Sequence, residues 1–508
     1  MTEWSPDEVF GVIRRCEADT DWVLDGLLGP MTSLSGIDTD VLQARRLVGH
    51  WLMQLSHQLE ALIRDEDTGD TDALIPVFAD HASHHRAFVA DVAYRSNLRR
   101  AITHLQAGRI TGIRLQAVDP GSRQPSVRSR LRGMIIASGS GSKGVLISHP
   151  YLRGSLFDAR RHAAQSSAWS QWTDVATRSY TAPDVARRRE IAAHIAVTDR
   201  RTLLLALAVM LMPSDVVETR SRIMRDVSAV AGSMPSAVFS ANGMQYVSAF
   251  QVLAAACANE GIPVAVQQHG GHFGLDEVHA VENVEAAAAD RFYTYGWTDS
   301  RPNIAPLPTA MPATASSTDR RRLLVMSLEA SDVVYRVQPF CIPDHARKCL
   351  NATRTFLDEL GDDSGYAPVV RSGAREHALI GAAVPRDDSS VTGTVSASAS
   401  GLVVHNYFGT SWLETLAMNV PTVCIVPPNI HRFREAARPL VDALRRHGII
   451  HDDPRAAARF VRELGGDARA WWLQPDLQSD RARFVSTYAN YSDDWLERWR
   501  SELTALAD

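Results

Sequence analysis

The beginning of the chain shows the periodicity of amphipathic helices. Within residues 42–63, apolar side chains recur every three or four positions, at Leu47, Trp51, Leu55, Leu59 and Leu62. This spacing places them on one face of a helix. The polar stretch at residues 64–71 ends the pattern. We therefore predict that most of the first 130 residues are helical.

Further along, short apolar segments alternate with helical ones. The first series comprises predicted strands at residues 133–137, up to 147, 237–240, 263–267 and 292–295, and predicted helices at 215–230 and 245–260. A second series has strands at 323–327, 368–371, 402–405, 422–426 and 449–450, and helices at 343–360, 411–418 and 433–447. Such alternation is typical of a parallel sheet covered by helices on both faces.

Residues 303–318 separate the two series. They are rich in Pro, Ala, Ser and Thr and carry no charge, as linkers often do. We predict a first domain at residues 1–302, a linker at 303–320, a second domain at 321–470 and helices at 471–508 that return to the first domain. The fold class is α/β and GT-B-like, with two Rossmann-like parallel-sheet domains facing a cleft.

Composition narrows the class of protein. The formal net charge of -5 argues against general nucleic-acid binding. The five cysteines are scattered without a Cys-x-x-Cys pair, as expected of free thiols in a reducing compartment. The first ten residues do not read as a secretory signal, and the longest apolar run, residues 203–212, is too short for a membrane span. We expect a cytoplasmic protein without a transmembrane segment, for which peripheral membrane contact stays open.

The first candidate site follows the predicted strand at residues 263–267. Residues 267–274 read Gln-Gln-His-Gly-Gly-His-Phe-Gly. Backbone amides at Gly270 and Gly271 can hold a phosphate or carboxylate, and His269 can donate a hydrogen bond or move a proton near neutral pH. The alternative is a tight turn with a satisfied histidine. The dinucleotide spacing Gly-x-Gly-x-x-Gly is absent.

An acidic segment comes next, with four carboxylates and a histidine within residues 276–285. Glu277, Glu282 and Glu285 are candidates for a general base, because a hydroxyl group that attacks a substrate must lose its proton. The alternative is an exposed acidic first turn stabilised by the helix dipole.

The second candidate site lies in residues 406–422, which read as strand, glycine turn, helix and strand. Thr410 and Ser411 fall at the predicted helix start, where free amides favour a phosphate. Glu414, one turn further, could accept hydrogen bonds from a ribose diol. Ser411 and Glu414 also have the spacing of a capping box, which needs no ligand.

Two arginines near predicted strand ends, Arg336 and Arg371, could clamp a donor phosphate or carboxylate. Surface salt bridges are the alternative for both. The loop at residues 138–144 resembles a phosphate loop but lacks the Walker spacing, so a flexible turn is favoured. No Asp-x-Asp pair follows a predicted strand, so we expect no metal and no cofactor.

Several of these motifs, in order along the chain, resemble a family of bacterial transferases encoded in surface-carbohydrate gene clusters, often clusters for sialic-acid-like nonulosonic sugars. The family is distantly similar to capsule Kdo transferases. The matching segments are residues 46–51, 212–213 with Glu218, 268–271, 273–274, 290–297, 370–371 and 413–422. Tyr295, where a tryptophan is expected, and His272, where a small residue is common, depart from the family's pattern.

The resemblance implies a glycosyltransferase that moves a sugar from a nucleotide-activated donor, such as a CMP-nonulosonic or Kdo-like sugar, to a glycan or small-molecule acceptor. We predict that the second domain is the nucleotide-donor domain, which holds the nucleotide through Thr410, Ser411 and Glu414 with Arg371 nearby, and that the first is the acceptor-side domain. The resemblance implies that Glu414 binds the ribose. His269 and an acidic neighbour would act at the reacting centre. Two alternatives stay open: a nucleotide-sugar 2-epimerase, and a non-catalytic sugar-binding protein of a polysaccharide assembly system.

Overall fold

The computed structural model describes residues 4–64, 71–118, 144–149, 169–172, 181–231, 234–309, 319–381 and 383–507. The predicted strand at residues 133–137 and all but the last residue of the loop at 138–144 lie outside this described part. Within it, no helix combines the length and apolar character needed to cross a membrane.

The helices of the described residues are α1 (Pro6–Ser35), α2 (Val41–Ile63), α3 (His81–Ala90), α4 (Val92–Gln106), α5 (Val185–Ala193), α6 (Arg200–Leu211), α7 (Arg220–Ala231), α8 (Gly243–Tyr246), α9 (Ser248–Asn259), α10 (Ala280–Ala288), α11 (Pro343–Leu360), α12 (Ala374–Ile380), α13 (Gly393–Ser398), α14 (Thr410–Ala417), α15 (Arg438–Arg446), α16 (Pro454–Glu463), α17 (Arg469–Trp472), α18 (Pro475–Tyr488) and α19 (Trp495–Ala507).

The strands are β1 (Ala73–Val77), β2 (Ile113–Ala117), β3 (Val145–Ser148), β4 (Trp169–Trp172), β5 (Ala237–Ser240), β6 (Val264–Gln267), β7 (Arg291–Thr294), β8 (Ile304–Pro306), β9 (Asp319–Met326), β10 (Ala367–Arg371), β11 (Ser400–His405), β12 (Thr422–Ile425) and β13 (Ile450–His451).

Two parallel sheets organise the molecule, which confirms the predicted pair of Rossmann-like units. The first has the strand order β4-β3-β5-β6-β7-β8 and the second the order β10-β9-β11-β12-β13. In each sheet the first strand along the chain, β3 or β9, lies one position in from the edge. The next strand takes that edge, and the remaining strands are added in order on the other side. Open sheets of this kind bind ligands at the carboxyl ends of their strands.

The prediction that the N-terminal region is helical is confirmed, and both the caps and the apolar faces of its first helices favour this structure. Helices α1 and α2 both begin at a capping box, in which Ser5 pairs with Glu8 and Asp40 with Gln43. The apolar face predicted for α2 is buried. The small parallel sheet formed by β1 and β2 is an addition that the helical periodicity did not indicate.

Three predicted elements need correction. Residues 304–306, assigned to the linker, form β8 at the edge of the first sheet, and residues 319–320 already belong to β9. The helix predicted at 215–230 starts at Arg220, after a 3₁₀ turn and a kink at Val217. The helix predicted at 433–447 starts only at Arg438, because Phe433 forms an antiparallel bridge with Asp276.

The C-terminal helices connect the two units. In α18, Phe484 packs on Trp412 of the second unit, with ring centres 5.1 Å apart. Just after α18, the amide of Asn490 donates to the carbonyl of Tyr295 in the first unit at 2.8 Å. Helix α19 then packs on the first sheet, where Trp499 lies in a core cluster with Phe239. The last helices therefore bridge the two sheets.

Candidate active site

The two candidate loops meet between the units. The loop after β6 carries Gly271, and the loop after β11 carries Gly409 and leads into α14. A Cβ atom added to Gly271 would lie 2.4 Å from the carbonyl carbon of Gly409 and 2.7 Å from the amide nitrogen of Thr410. Only glycine allows so close an approach of two backbones. Two motifs far apart in sequence thus border one cleft.

His269 lies beside a buried carboxylate in this cleft. Its Nε2 is 3.1 Å from Oε1 of Glu285, which α10 supplies and which is 1% exposed. The side-chain nitrogen of Gln245 donates to the same Oε1 at 2.7 Å and lies 2.6 Å from Nε2 of His269. A carboxylate orients an imidazole and stabilises its protonated form, so this pair can accept and release a proton.

The loop around His269 is held by its own side chains. Gln268 donates to the carbonyl of Gly270 at 2.8 Å and accepts from the indole of Trp297, also at 2.8 Å. A Cβ atom at Gly270 would lie 2.9 Å from the ring of Phe273. The glycine pair therefore packs tightly against its surroundings on both sides.

The other two acidic candidates have ion-pair partners instead. Glu282 is fully buried, accepts from the amide of Gly274 at 2.8 Å and from Arg434 at 2.7 Å, and also pairs with Arg301. Glu277 pairs with Arg14 and, at 2.6 Å, with Arg432. Both carboxylates hold elements together across the cleft. Among the three predicted general bases, these ion pairs favour Glu285, which contacts an imidazole instead; the role of Glu277 and Glu282 stays a prediction.

Sequence reasoning missed a second histidine–carboxylate group. His431 Nδ1 lies 2.7 Å from Oδ1 of Asp276, and Nε2 of His431 is buried without a hydrogen-bond partner. His272 Nδ1 lies 3.7 Å from the other oxygen of Asp276. Burial lowers the pKa of His272 to about 3, although the Asp276 carboxylate acts in the opposite direction. His272 is therefore neutral at pH 7.

Within the described residues, His272, Asp276 and His431 also form a group that could hold a metal ion, since one donor atom of each lies within 4.8 Å of the others. Two imidazoles and a carboxylate suit a transition metal such as zinc. The predicted absence of a metal is not tested by this geometry. The only hint in the sequence was His272 itself, four residues before Asp276.

Helix α14 presents its N-terminus to the cleft without a side-chain cap. Gly409 is its N-cap residue, and Oγ of Ser411 is buried without a partner. The capping-box interpretation of Ser411 and Glu414 is therefore wrong. Glu414 is 4% exposed and accepts from Oγ1 of Thr394, in α13, at 2.9 Å. The amides at Thr410 and Ser411 remain suited to a phosphate.

The two arginines differ in their partners. Arg371 pairs with Asp387 at 3.1 Å and donates to the carbonyl of Val391 at 2.7 Å. Partial burial raises the pKa of Asp387, but hydrogen bonds from Ser396, Ser389 and Arg371 outweigh it and lower the pKa to about 2. Arg371 thus has a carboxylate partner within its own unit, and its predicted contact with a donor phosphate stays a prediction. Arg336, by contrast, forms no ion pair with any described carboxylate and donates to Sγ of Cys341 at 3.3 Å.

Solved structures that the chain resembles include spinosyn rhamnosyltransferase SpnG, with 12% identity over 71% of this chain and 100% of that chain and a TM-score of 0.35. SpnG complexed with thymidine diphosphate has 12% identity, covers 85% and 100% of the two chains and gives a TM-score of 0.32. A mutant of Thermobaculum terrenum O-GlcNAc transferase has 11% identity, 99% and 96% coverage and a TM-score of 0.33. No curated protein matches the chain.

A family model described as "LIC12162 family transferase" matches residues 117–503. This range includes all strands of the two large parallel sheets, both glycine loops and every predicted site residue from His269 to Glu414. Because the match extends over well more than half of the sequence, the protein belongs to the LIC12162 family of transferases.

Proposed function

We propose that the group transferred is a sugar and that the donor is a nucleotide sugar bound in the cleft. The observation that carries this proposal is the contact between Gly271 and Gly409. It brings the His269–Glu285 pair of one unit close to the N-terminus of α14 in the other. A proton acceptor and a set of phosphate-binding amides are the two things that transfer from a nucleotide sugar requires.

In the proposed reaction, the acceptor hydroxyl attacks the anomeric carbon of the donor and gives its proton to His269, whose positive charge Glu285 stabilises. The bond between the anomeric carbon and the leaving phosphate oxygen breaks, and the electron pair stays on the phosphate. The amides at Thr410 and Ser411 stabilise this negative charge. Glu414 takes the ribose hydroxyls.

The proposal also covers the identity of the donor and acceptor, the compartment and the need for a metal. The donor is a CMP-nonulosonic or Kdo-like sugar, the acceptor is a glycan or small molecule of surface-polysaccharide synthesis, and the reaction takes place in the cytoplasm. We propose that no metal or cofactor is needed. EDTA should leave the rate unchanged; a rate lost with EDTA and restored by zinc or manganese would contradict this and point to His272, Asp276 and His431.

The test is incubation of the purified protein with a panel of nucleotide sugars, with and without acceptor glycans, followed by mass spectrometry. We expect a glycosylated product and free nucleotide only when donor and acceptor are both present. His269→Ala should lower turnover by about 100-fold while the melting temperature is kept. Conversion of the donor without an acceptor would indicate an epimerase, and binding without turnover for all donors would indicate a sugar-binding protein.

A further inference from the structure

Arg336 stands out because its guanidinium pairs with no carboxylate among the described residues and donates only to Sγ of Cys341, at 3.3 Å. It lies in the loop between β9 and α11, its Nε is buried without a hydrogen-bond partner, and its guanidinium carbon is 5.7 Å from the ring centre of Tyr335. The deeply buried Arg46 and Arg188, by contrast, have carboxylates at 2.8 and 2.7 Å, from Asp290 and Glu218. A partly buried guanidinium whose Nε has no acceptor, and which faces no carboxylate, is costly to hold in place. This arginine is therefore suited to an anion from outside the chain.

A chain of aromatic and imidazole rings leads away from Arg336. The ring of His85 lies 5.0 Å from that of Tyr335 and 6.1 Å from that of Tyr246. Tyr246 in turn lies 5.7 Å from His50, on α2. His50 is 3% exposed, yet neither of its ring nitrogens has a hydrogen-bond partner. Native proteins rarely leave such groups unsatisfied, so these nitrogens are free for a polar ligand.

The surrounding imidazoles are neutral. Burial, followed by the nearby His81 and Arg336, lowers the pKa of His50 well below its usual value. Burial and the neighbouring His84 lower the pKa of His81 to about 3. A neutral imidazole offers one donor and one acceptor, which is the pattern that hydroxyl groups need. Arg336 thus supplies the positive charge, and the unpartnered nitrogens of His50 and His85 supply hydroxyl-binding groups. Both nitrogens of His81 are already engaged, by Gln245 and Gln54.

The same network reaches the proposed proton acceptor. His81 Nδ1 contacts the carbonyl of Gln245, and the Gln245 side chain bonds both His269 and Glu285. Oε2 of Glu285 is buried without a partner. A ligand bound along this line would therefore have its hydroxyl groups close to His269.

We propose that Arg336 binds the oxyanion of a polyhydroxylated ligand, a carboxylate or a phosphate, while His50 and its neighbours bind the hydroxyl groups. This inference deepens the proposed function, since it makes one of the two substrates acidic at this position. The ligand is an acidic sugar if the anion belongs to the sugar, and the donor nucleotide if it belongs to a phosphate.

Two matched pairs of probes test the charge preference by calorimetric titration: D-glucuronate against D-glucose, and CMP against cytidine. We expect the wild-type protein to bind the charged member of at least one pair at least 10-fold more tightly. Arg336→Gln should abolish that preference and Arg336→Lys should keep part of it. The pair that responds identifies the source of the anion. Equal binding within both pairs, or a preference that survives Arg336→Gln in both, would overturn the proposal.

A stability measurement separates a binding role from a structural one. Arg188→Gln, the matched control, leaves buried Glu218 unpaired and should lower the melting temperature by several degrees. Arg336→Gln leaves no carboxylate unpaired and should melt at or above the wild-type temperature. A decrease as large as that of the control would show that Arg336 is structural and would refute the inference. Neither the titrations nor the melting curves depend on turnover. They therefore still test anion binding by Arg336 if no transferase reaction is found.

Discussion

Glu285 differs from its two acidic neighbours in what it touches. It contacts an imidazole, whereas Glu277 and Glu282 contact guanidinium groups. Replacing Glu285 with Gln should lower turnover by about 100-fold, because the amide no longer stabilises a protonated His269. Steady-state kinetics on a saturating donor measure this effect.

The matched control for that substitution is Glu277→Gln, which removes a carboxylate from the same segment. We expect its turnover to stay within a few-fold of wild type, with any loss appearing as a lower melting temperature. Equal effects of the two substitutions on turnover would show that the acidic segment acts through its overall charge and that Glu285 has no special role.

Glu414 has a buried partner, and that partner allows its roles to be separated. Thr394→Val removes the hydrogen bond to Glu414 but keeps the carboxylate, whereas Glu414→Gln removes the charge. We expect Glu414→Gln to weaken nucleotide binding by about 1 to 3 kcal/mol, as for a lost charged hydrogen bond. Thr394→Val should mainly lower stability. Calorimetric titration of nucleotide and melting curves on both variants separate the binding role of Glu414 from a structural one. Weaker nucleotide binding in the Thr394 variant alone would contradict the proposal that Glu414 binds the ribose.

The residues that sequence reasoning found and missed differ in their surroundings. His269 was predicted because it follows a strand and is flanked by glycine. His431 was missed because its partner Asp276 is far away in sequence and neither residue forms a local motif. The sequence did carry a signal for the histidines near Arg336. His50 lies on the buried helix α2 together with Gln54 and Gln58, one and two turns further along. A row of polar residues on an otherwise apolar helix indicates that this face of the helix borders a polar region inside the protein.

At the scale of elements, the central strands were predictable because they are buried on both faces and read as continuous apolar runs. Strand β8 was not, because it is short, lies at the sheet edge and ends in Pro306, which reads as a loop residue. The start of α15 was misplaced for another reason. Phe433 continues an apolar pattern, but its pairing with Asp276 across the cleft takes it out of the helix.

The contact between the glycine loops gives an element-scale prediction. Gly271→Ala places a methyl group against the backbone of Gly409 and Thr410, which cannot move aside as a side chain could. We expect the units to separate slightly and turnover to fall by at least 10-fold, with a loss of stability of about 1 to 3 kcal/mol. Kinetics and denaturant unfolding measure the two effects.

Gly11→Ala is the control for that variant. Its Cβ would meet only the end of the Arg15 side chain, at 3.8 Å, inside helix α1. It should leave turnover unchanged and raise stability by up to about 1 kcal/mol, because alanine favours a helix more than glycine does. Unchanged turnover in Gly271→Ala would mean that the loop contact does not position the reacting groups.

For the whole molecule, buried neutral histidines predict sensitivity to acid. Burial lowers the pKa to about 3 at His57, His81, His84, His272 and His405. In the unfolded chain these groups take up a proton near pH 6.5, whereas in the folded chain they do not. Stability should therefore be complete above pH 6.5 and fall by about 1.4 kcal/mol per pH unit and histidine as the pH drops towards 3.

Denaturant unfolding between pH 7.5 and 5 checks this slope. His405→Asn changes a buried imidazole that bonds Thr415 and that the proposed reaction does not use, and it should make the slope shallower. His194→Gln changes an exposed imidazole and serves as the control. A slope that is the same in the His405 variant and in wild type would assign the acid sensitivity to carboxylates.

The backbone contact between Gly271 and Gly409 also has a consequence for the path of a ligand. Where two main chains touch, nothing the size of a phosphate passes between them. In the proposed reaction, a donor that enters between these two loops therefore requires them to separate first. If the spent nucleotide leaves by the same path, each cycle contains one closing and one opening movement, and the opening movement sets an upper limit on turnover.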